Sequence, residues 1–198
     1  MTAIIYYGAG NLFSLRSALE NIGEKYIITS EERSVLSADR IILPGVGEAS
    51  GSMNLIKSMG IDSILLRSKV PVLGICIGMQ LLCNYSEEGD TDCLGYFSTK
   101  VEKLKSDYVK IPHMGWNRVT NLRGPLFDGV DEGEWFYFVH SYAPVFSSSA
   151  ASVTEHGVQF SSSLQSGRFY GTQFHPEKSG EAGERILRNF LKSNQINN

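Results

Sequence analysis

The segment 72–82 combines a cysteine with two flanking glycines in a pattern typical of an enzyme nucleophile. Cys76 stands between Gly74 and Gly78, directly after an apolar run that predicts a buried strand. This G-x-C-x-G spacing puts sulfur where hydrolases with a nucleophile elbow carry serine. Glycines suit a tight strand-to-helix turn, because bulky neighbours would clash with its strained backbone. The following helix, from Ile77 onward, has a dipole and unpaired amides that favour a thiolate and can stabilise an oxyanion.

The competing interpretation of Cys76 is a core residue between two packing glycines, since free cysteines are readily buried. The strand–turn–helix context favours the nucleophile. Cys83 lies seven residues further on, about two helical turns, and is expected to share the helix face of Cys76 or to pack beneath it as a structural residue. Cys93 stands in a polar segment and gives no functional signal.

A candidate base stands near the carboxyl end of the chain, just after a strand-like run. His175 is followed by Pro176 and Glu177. Proline favours extended backbone at His175, and in extended backbone the side chains of residues 175 and 177 project to one side. A carboxylate that orients an imidazole, which in turn activates a thiol, is the logic of a nucleophilic triad. Alone, this motif could instead cap the helix expected near Gly180; together with Cys76 it favours catalysis.

The other three histidines give weaker signals. His140 lies in an aromatic strand, where a hydrogen-bonded structural histidine is as good an interpretation as a role in the site. His113 belongs to the segment Pro112–Asn117, which mixes loop residues with a methionine and a tryptophan and is expected to be an exposed contact surface. His156 indicates only a structural role.

The spacing of apolar residues predicts alternating strands and helices in the first half of the chain and mostly strands in the second. We therefore predict one α/β domain over residues 1–198, with a central, mostly parallel sheet, flanking helices and added antiparallel strands. The polar tail 193–198 is expected to fray. Helices are predicted at residues 12–22, 53–66 (interrupted near Gly60) and 182–192, and strands at residues 3–7, 26–28, 40–43, 70–75, 96–104, 135–142, 158–164 and 169–174.

Composition excludes several classes of protein. The chain has 198 residues, 42% of them hydrophobic, and a net charge of −3, which fits a globular protein and gives no reason to expect nucleic-acid binding. We find neither a secretory signal nor an apolar run of the roughly 18 residues that a membrane span needs. Three cysteines form neither a disulfide framework nor a zinc pattern, so we expect a cytoplasmic protein without a metal or other cofactor.

The chain resembles the class I, or triad, glutamine amidotransferases, in the blocks Gly74–Gln80 and Gln173–Glu177. This resemblance implies the flavodoxin-like architecture of that family. Within the family, the similarity is most specific to the glutaminase subunits of imidazole glycerol phosphate synthases. That narrower similarity is carried by Pro44–Gly47, Pro112–Asn117, Tyr137–Tyr142 and Lys178-Ser179.

The resemblance implies hydrolysis of L-glutamine to glutamate and ammonia. Cys76 would form a γ-glutamyl thioester, His175 would carry protons, and Glu177 would orient His175. Ammonia would pass to a (β/α)8-barrel cyclase subunit, the partner in a heterodimer of histidine biosynthesis. The resemblance assigns oxyanion and glutamine-binding roles to Gly45, Val46, Gly47, Ile77, Gln80, Ser141 and Tyr142, and partner contacts to Pro112, His113, Met114, Trp116, Asn117 and Lys178.

Three alternatives stay open at this point. A paralogous subunit could supply ammonia to a cyclase-like partner that amidates a sugar for surface polysaccharides, and it would share every catalytic residue. A stand-alone cysteine hydrolase is disfavoured by the contact surface at Pro112–Asn117. A non-catalytic subunit is disfavoured by the intact Cys76, His175 and Glu177.

Overall fold

The computed structural model describes residues 1–8, 12–45 and 47–193, and a seven-stranded sheet lies at its centre. Strands form where short apolar runs are buried, as in the fourth strand, whose residues are all buried. In spatial order the strands are β11 (Ala150–His156), β12 (Val158–Ser166), β13 (Phe169–Thr172), β4 (Val72–Ile75), β3 (Arg40–Leu43), β1 (Thr2–Ile5) and β2 (Tyr26–Thr29).

The direction of these strands confirms the predicted mostly parallel sheet. Strands β2, β1, β3, β4 and β13 run parallel, and β12 and β11 continue the sheet antiparallel. The parallel strands follow the order of flavodoxin-like folds, in which ligands bind beyond the carboxyl ends of the strands. Cys76 follows β4 and His175 comes shortly after β13, so two neighbouring strands bring both residues to one edge.

Helices cover the sheet where the sequence shows apolar residues at helical spacing. The first helix ends at Gly23, which has a left-handed φ of 82°, and a second break falls at Gly60 with a φ of 68°, as predicted. The helices are α1 (Phe13–Ile22), α2 (Glu32–Leu36), α3 (Ala49–Ser58), α4 (Ile61–Arg67), α5 (Ile77–Leu81) and α6 (Gly180–Lys192), with 3-10 turns at Pro125–Phe127 and Pro176–Lys178.

Two smaller sheets lie beside the central one and complete the wall of the site. One has four strands in the order β10-β7-β5-β6, and the other is the antiparallel pair β8-β9. Their strands are β5 (Cys83–Ser86), β6 (Thr91–Asp92), β7 (Phe97–Lys103), β8 (His113–Val119), β9 (Glu134–His140) and β10 (Tyr142–Pro144).

The structure corrects the predicted surroundings of Cys83. The helix that begins at Ile77 ends at Leu81, and Cys83 begins strand β5 opposite Phe97 instead of continuing the helix. Its predicted burial is confirmed, since the side chain is fully buried. Burial also raises the pKa of the Cys83 thiol, which makes this cysteine a poor nucleophile.

Other differences concern element boundaries and short strands. The strand predicted at 135–142 is divided at Ser141 into β9 and β10, and the strand predicted at 70–75 begins at Val72. Elements α2, β5, β6, β8 and β11 are not predicted from the spacing of apolar residues. In the described parts of the chain, no helix has the length and apolar character to cross a membrane. The tail residues 194–198 lie outside the described residues, and the single domain stays a prediction.

Candidate active site

Cys76 occupies a strained turn between β4 and α5. Its backbone has φ 54° and ψ −113°, and this positive φ is one of three at non-glycine residues in the described parts of the chain. The Cys76 amide donates a hydrogen bond to Thr172 O at 2.7 Å, which ties the turn to β13. Such conformations are costly and cluster at functional sites. The tight strand-to-helix turn predicted from the glycine spacing is therefore present in the structure.

The two glycines beside Cys76 allow backbone segments to touch. A Cβ on Gly74 would lie 2.6 Å from the carbonyl carbon of Gly78, and a Cβ on Gly78 would lie 1.8 Å from Leu43 O. Any side chain at either position would push α5 away from the ends of β3 and β4. This close approach is the physical reason for the G-x-C-x-G spacing.

The His175–Glu177 pair forms as predicted, by a different backbone route. His175 is extended, with φ −96° and ψ 97°, but residues Pro176–Lys178 form a 3-10 turn, not an extended strand. The turn brings Glu177 Oε1 to 2.8 Å from His175 Nδ1. The His175 amide donates to Tyr137 O at 2.9 Å, so the histidine is also anchored to β9.

The surroundings of His175 favour its protonated form. Burial alone would lower the pKa of His175, but interaction with Cys76 and with the Glu177 carboxylate raises it to about 10. Nδ1 is engaged by Glu177, whereas Nε2 is buried and has no hydrogen-bond partner of ordinary geometry among the described residues. Nε2 is therefore the ring atom available to exchange protons at the sulfur.

These residues face a cleft of about 340 Å³, within the size range of small-ligand sites. The structure brings together at this cleft most of the residues predicted to act there. Glu177 supports His175 from behind and does not line the cleft, and Val46 lies outside the described residues. The cleft is lined by Gly45, Gly47, Cys76, Ile77, Gln80, Glu88, Pro112, Val139, His140, Ser141, Tyr142, His175 and Lys178.

The Pro44–Gly47 turn packs directly on the start of α5. A Cβ on Gly45 would lie 2.4 Å from the Gly78 amide nitrogen, so only glycine permits this contact. Tyr7 Oη donates a hydrogen bond to Pro44 O at 2.8 Å, and burial raises the pKa of Tyr7 to about 12. Tyr7 therefore fixes one end of the turn, a role that no local sequence signal indicates. The other end, Gly47, has a φ of 101° that favours glycine.

Gln80 is held by two acceptors close to Cys76. Its Nε2 donates to Tyr142 O at 2.8 Å and to Gln173 Oε1 at 2.9 Å. Gln173 Nε2 in turn lies 3.6 Å from Cys76 Sγ and donates to it. The sequence indicates Gln173 only as part of the segment before His175, and the structure gives it direct contact with the sulfur. The Gln80 side-chain oxygen is buried and has no partner among the described residues.

Glu88 is an acidic residue of the cleft that the sequence does not single out. Its Oε2 accepts a hydrogen bond from the Ala49 amide at 2.9 Å, which turns the carboxylate toward the start of α3. Burial raises the pKa of Glu88. The side chain reaches the cleft because of tertiary contacts between segments far apart in sequence, which local spacing does not indicate.

The segment Pro112–Asn117 is mostly a strand, so the expectation of loop residues there is wrong. Residues 113–119 form β8, which pairs with β9. Met114 and Trp116 are 65% and 53% exposed, as a contact surface requires, whereas His113 is 2% exposed. Side chains alternate between the faces of a strand, so His113 points into the core while its neighbours point outward. The His113 side chain therefore cannot make the predicted contact with a partner on the face that carries Met114 and Trp116.

The remaining residues predicted to contact a partner lie around this exposed face. Pro112 and Lys178 are exposed and also line the mouth of the cleft, and Asn117 is half-buried. Lys178 Nζ lies 5.7 Å from the centre of the Tyr137 ring, which packs edge-on against Trp116. The aromatic and cationic groups therefore form one continuous surface next to the cleft.

Comparisons with known proteins agree with this geometry. The family model "Glutamine amidotransferase class-I" matches residues 3–194. The imidazole glycerol phosphate synthase subunit HisH of Bacteroides fragilis (strain YCH46) is 48% identical over 192 residues, which cover 96% of this chain and 98% of that relative. The subunit of the same name from Xylella fastidiosa (strain Temecula1) is 46% identical over 192 residues, which cover 96% of this chain and 96% of that relative.

Solved structures show the same fold at lower identity. The structure of a putative GMP synthase protein from Thermoplasma acidophilum superposes with a TM-score of 0.73 at 20% identity, covering 96% of this chain and 92% of that chain. PurLQS from Thermotoga maritima gives a TM-score of 0.68 at 18% identity, covering 96% of each chain. By its sequence and its fold, this chain belongs to the class I glutamine amidotransferases.

Proposed function

We propose that this chain is the glutaminase subunit of an imidazole glycerol phosphate synthase. It hydrolyses L-glutamine through Cys76, His175 and Glu177 and passes ammonia to a cyclase subunit for histidine biosynthesis. The single observation that carries the chemistry is the strained Cys76 at a cleft that it shares with a Glu177-bound histidine. The names of the relatives from Bacteroides fragilis and Xylella fastidiosa support the pathway.

The first half of the reaction forms a thioester. The Cys76 thiolate attacks Cδ of the glutamine side chain, and the Sγ–Cδ bond forms as the carbonyl oxygen becomes an oxyanion. His175 Nε2 gives its proton to the amide nitrogen, the Cδ–N bond breaks, and ammonia leaves. Glu177 keeps the imidazole oriented during this transfer, through the bond at Nδ1.

The second half of the reaction releases glutamate. The now neutral His175 takes a proton from water, and the water oxygen attacks Cδ of the thioester. The Cδ–Sγ bond then breaks, and the electron pair returns to the sulfur as thiolate. Gln173 stabilises that thiolate through its N–H group, 3.6 Å from Sγ.

The oxyanion is stabilised by backbone amides on two sides of the cleft. Ile77 begins α5, and the first amides of a helix have no acceptor within the helix. The second donor comes from the Pro44–Gly47 turn, where we assign it to the amide of Val46. Glycines in that turn permit a peptide to reorient, so the partner subunit controls when the second donor is in place.

The amino-acid end of glutamine is held by groups around Gln80. The Gln80 side-chain oxygen is a buried acceptor without a partner among the described residues, and substrate N–H groups satisfy it. The Glu88 carboxylate attracts the substrate ammonium, and the backbone at Ser141 and Tyr142 completes the wall.

The cyclase subunit docks on the face that carries Met114 and Trp116, beside the cleft mouth at Pro112 and Lys178. Exposed methionine and tryptophan residues are enriched in the cores of protein interfaces, which supports this assignment. The complex is a cytoplasmic heterodimer. Support for that compartment comes from Cys76, Cys83 and Cys93, which are all free thiols.

The proposal is tested by mixing the chain with a cyclase subunit of the histidine pathway and measuring glutamate formation from glutamine. We expect the cyclase, loaded with its ligand, to stimulate glutamine turnover, and we expect Trp116→Ala to weaken this stimulation. Phe146→Ala is a matched control, because Phe146 is 63% exposed, against 53% for Trp116, but lies away from the cleft mouth. Equal turnover by the isolated chain and by the complex would refute control by the partner. Stimulation only by a sugar-amidating cyclase-like subunit would refute the histidine pathway.

A further inference from the structure

Three side chains form a continuous hydrogen-bonded chain that ends at the wall of the cleft, where His140 lies. Asn117 Nδ2 lies 3.2 Å from His113 Nε2, and His113 Nδ1 lies 3.0 Å from His140 Nε2. His140 Nδ1 lies 2.9 Å from Tyr142 O. His113 and His140 are directly opposite each other in the β8–β9 pair, and both are buried. The chain therefore runs from β8 to the backbone that walls the cleft.

The direction of every hydrogen bond in this chain is fixed by its last member. The Tyr142 carbonyl only accepts, so His140 Nδ1 carries a proton, and in the neutral ring Nε2 is then an acceptor. His113 Nδ1 must donate to that acceptor, which leaves His113 Nε2 to accept from Asn117. Burial lowers the pKa of His140 to about 3 and that of His113 to about 4, which keeps both rings neutral at physiological pH.

The orientation of Asn117 agrees with this assignment. Its Oδ1 accepts from the Arg118 amide at 2.8 Å, and its Nδ2 also donates to Glu155 O at 2.9 Å. The nitrogen therefore faces His113, as the tautomers require. Donors run in one direction, from Asn117 through both histidines to the carbonyl.

A second arm leads from the same carbonyl to the nucleophile. Tyr142 O accepts from Gln80, whose other N–H bond holds Gln173 Oε1. This contact turns the Gln173 amide so that its nitrogen faces Cys76 Sγ. The position of one backbone oxygen thus determines how Gln80 and Gln173 are placed around the sulfur.

We propose that His113 is a positioning residue for the glutaminase reaction. It acts through His140 on the Tyr142 carbonyl, and thereby sets Gln80, Gln173 and the nucleophile, although it does not itself line the cleft. The inference rests on the proposed function for its catalytic consequence, while the effect on the cysteine itself is independent of the substrate.

Two substitutions of His113 separate hydrogen bonding from packing. His113→Asn places an amide N–H close to the position of Nδ1 and keeps the donor to His140, but removes the ring. His113→Phe keeps a ring to stack on Phe138 and His156, whose centres lie 4.7 Å and 3.9 Å from that of His113, but removes the donor. A packing role predicts that phenylalanine is the milder change, and a positioning role predicts that asparagine is.

A histidine that stacks on His113 but takes no part in the hydrogen-bonded chain provides the control. His156 lies parallel to His113 but donates its Nε2 proton to Lys110 O, away from the cleft. His156→Phe keeps the stack and leaves the hydrogen-bonded chain intact. We expect its kinetics to match those of the wild type.

Two measurements on these variants test the inference. In the complex with the cyclase subunit, we expect kcat/KM for glutamine to fall about tenfold in His113→Phe, the fold-change of one buried hydrogen bond, and less in His113→Asn. In the isolated chain carrying Cys93→Ser, we expect iodoacetamide to alkylate Cys76 more slowly in His113→Phe than in His113→Asn. Thermal unfolding of each variant shows how far it remains folded at the assay temperature.

The outcomes distinguish this inference from the proposed function. Equal losses in both variants, or a smaller loss in His113→Phe, would overturn the positioning role. A wild-type complex without glutaminase activity would overturn the proposed function, and the alkylation rates would still decide whether His113 positions Cys76.

Discussion

Gly78 lies against the Leu43 carbonyl so closely that a Cβ on the glycine would be 1.8 Å from the oxygen. Helix α5 thus packs backbone to backbone on the end of β3, immediately after Cys76. This contact sets the distance between the Cys76 elbow and the Pro44–Gly47 turn. The geometry of the site therefore depends on a position where no side chain fits.

Gly78→Ala is expected to destabilise the protein by about 3 kcal/mol or more, because the added methyl group meets rigid backbone. Gly51→Ala is the matched control within α3. A Cβ on Gly51 would meet chiefly the flexible end of Glu48, so the gain in helix propensity offsets the disturbed cap to within about 1 kcal/mol. Denaturant unfolding of both variants measures the difference, and equal stabilities would contradict the packing described.

The candidate nucleophile Cys76 could be singled out from sequence because its signal is local. The glycines around Cys76 and the short His175–Glu177 spacing reflect constraints within a few residues, and the apolar run before Cys76 identifies the strand. Tyr7 and Glu88 reach the site through contacts with segments far away in the chain. Contacts between distant segments produce no pattern in the sequence around either residue, so local spacing does not predict them.

The strand β8 was missed for a related reason. Its outward face carries Met114 and Trp116 and its inward face carries His113, so the alternation of apolar and polar residues that identifies a half-buried strand is inverted. An apolar outer face is what a docking surface requires. The apolar outer face of β8 therefore explains both why the strand is not predicted and why this face suits a partner.

The two buried histidines predict a loss of stability in acid. Burial lowers the pKa of His113 to about 4 and that of His140 to about 3, below the ordinary value of 6.5. Between these values and pH 6.5, the two histidines bind protons in the unfolded chain but not in the folded chain. The free energy of unfolding is therefore unaffected by these histidines above pH 6.5, and it falls as the pH drops from 6.5 toward their folded pKa values. Each histidine contributes a slope of about 1.4 kcal/mol per pH unit in that window.

His140→Phe is expected to reduce the slope of unfolding free energy against pH by the contribution of one histidine, about 1.4 kcal/mol per pH unit. The measurement is the free energy of unfolding in denaturant at several pH values between 6.5 and 5. Carboxylates are common to both proteins, so the comparison isolates the histidine. Identical slopes for variant and wild type would show that His140 is not buried in its neutral form.

Glu177→Gln is expected to lower kcat for glutamine by about 100-fold, since it removes the carboxylate that orients His175 and helps to raise the pKa of that imidazole. KM should change less, because Glu177 does not line the cleft. Glu184→Gln, at a half-exposed acid on α6 bonded to Arg188, is the control and should be neutral. A variant that lost affinity with kcat unchanged would place Glu177 in substrate binding instead.

Glu88→Gln is expected to raise KM for glutamine about tenfold or more with a smaller change in kcat, because it removes the charge that attracts the substrate ammonium. Glu87→Gln is a matched control next to it in sequence. Glu87 is exposed and accepts from the Lys103 amide, a bond that glutamine also makes. Steady-state kinetics of the two variants give the comparison, and equal KM values would exclude Glu88 from binding.

The most direct test of the central claim is glutamate formation from glutamine by Cys76→Ala and Cys93→Ser, each in the complex with the cyclase subunit. Cys93 is half-buried, and burial raises the pKa of its thiol to about 11, so it controls for the loss of a cysteine as such. We predict that Cys76→Ala forms no glutamate above the uncatalysed rate and that Cys93→Ser keeps the wild-type rate. Glutamate formation by Cys76→Ala at the wild-type rate would contradict the assignment of Cys76 as the nucleophile.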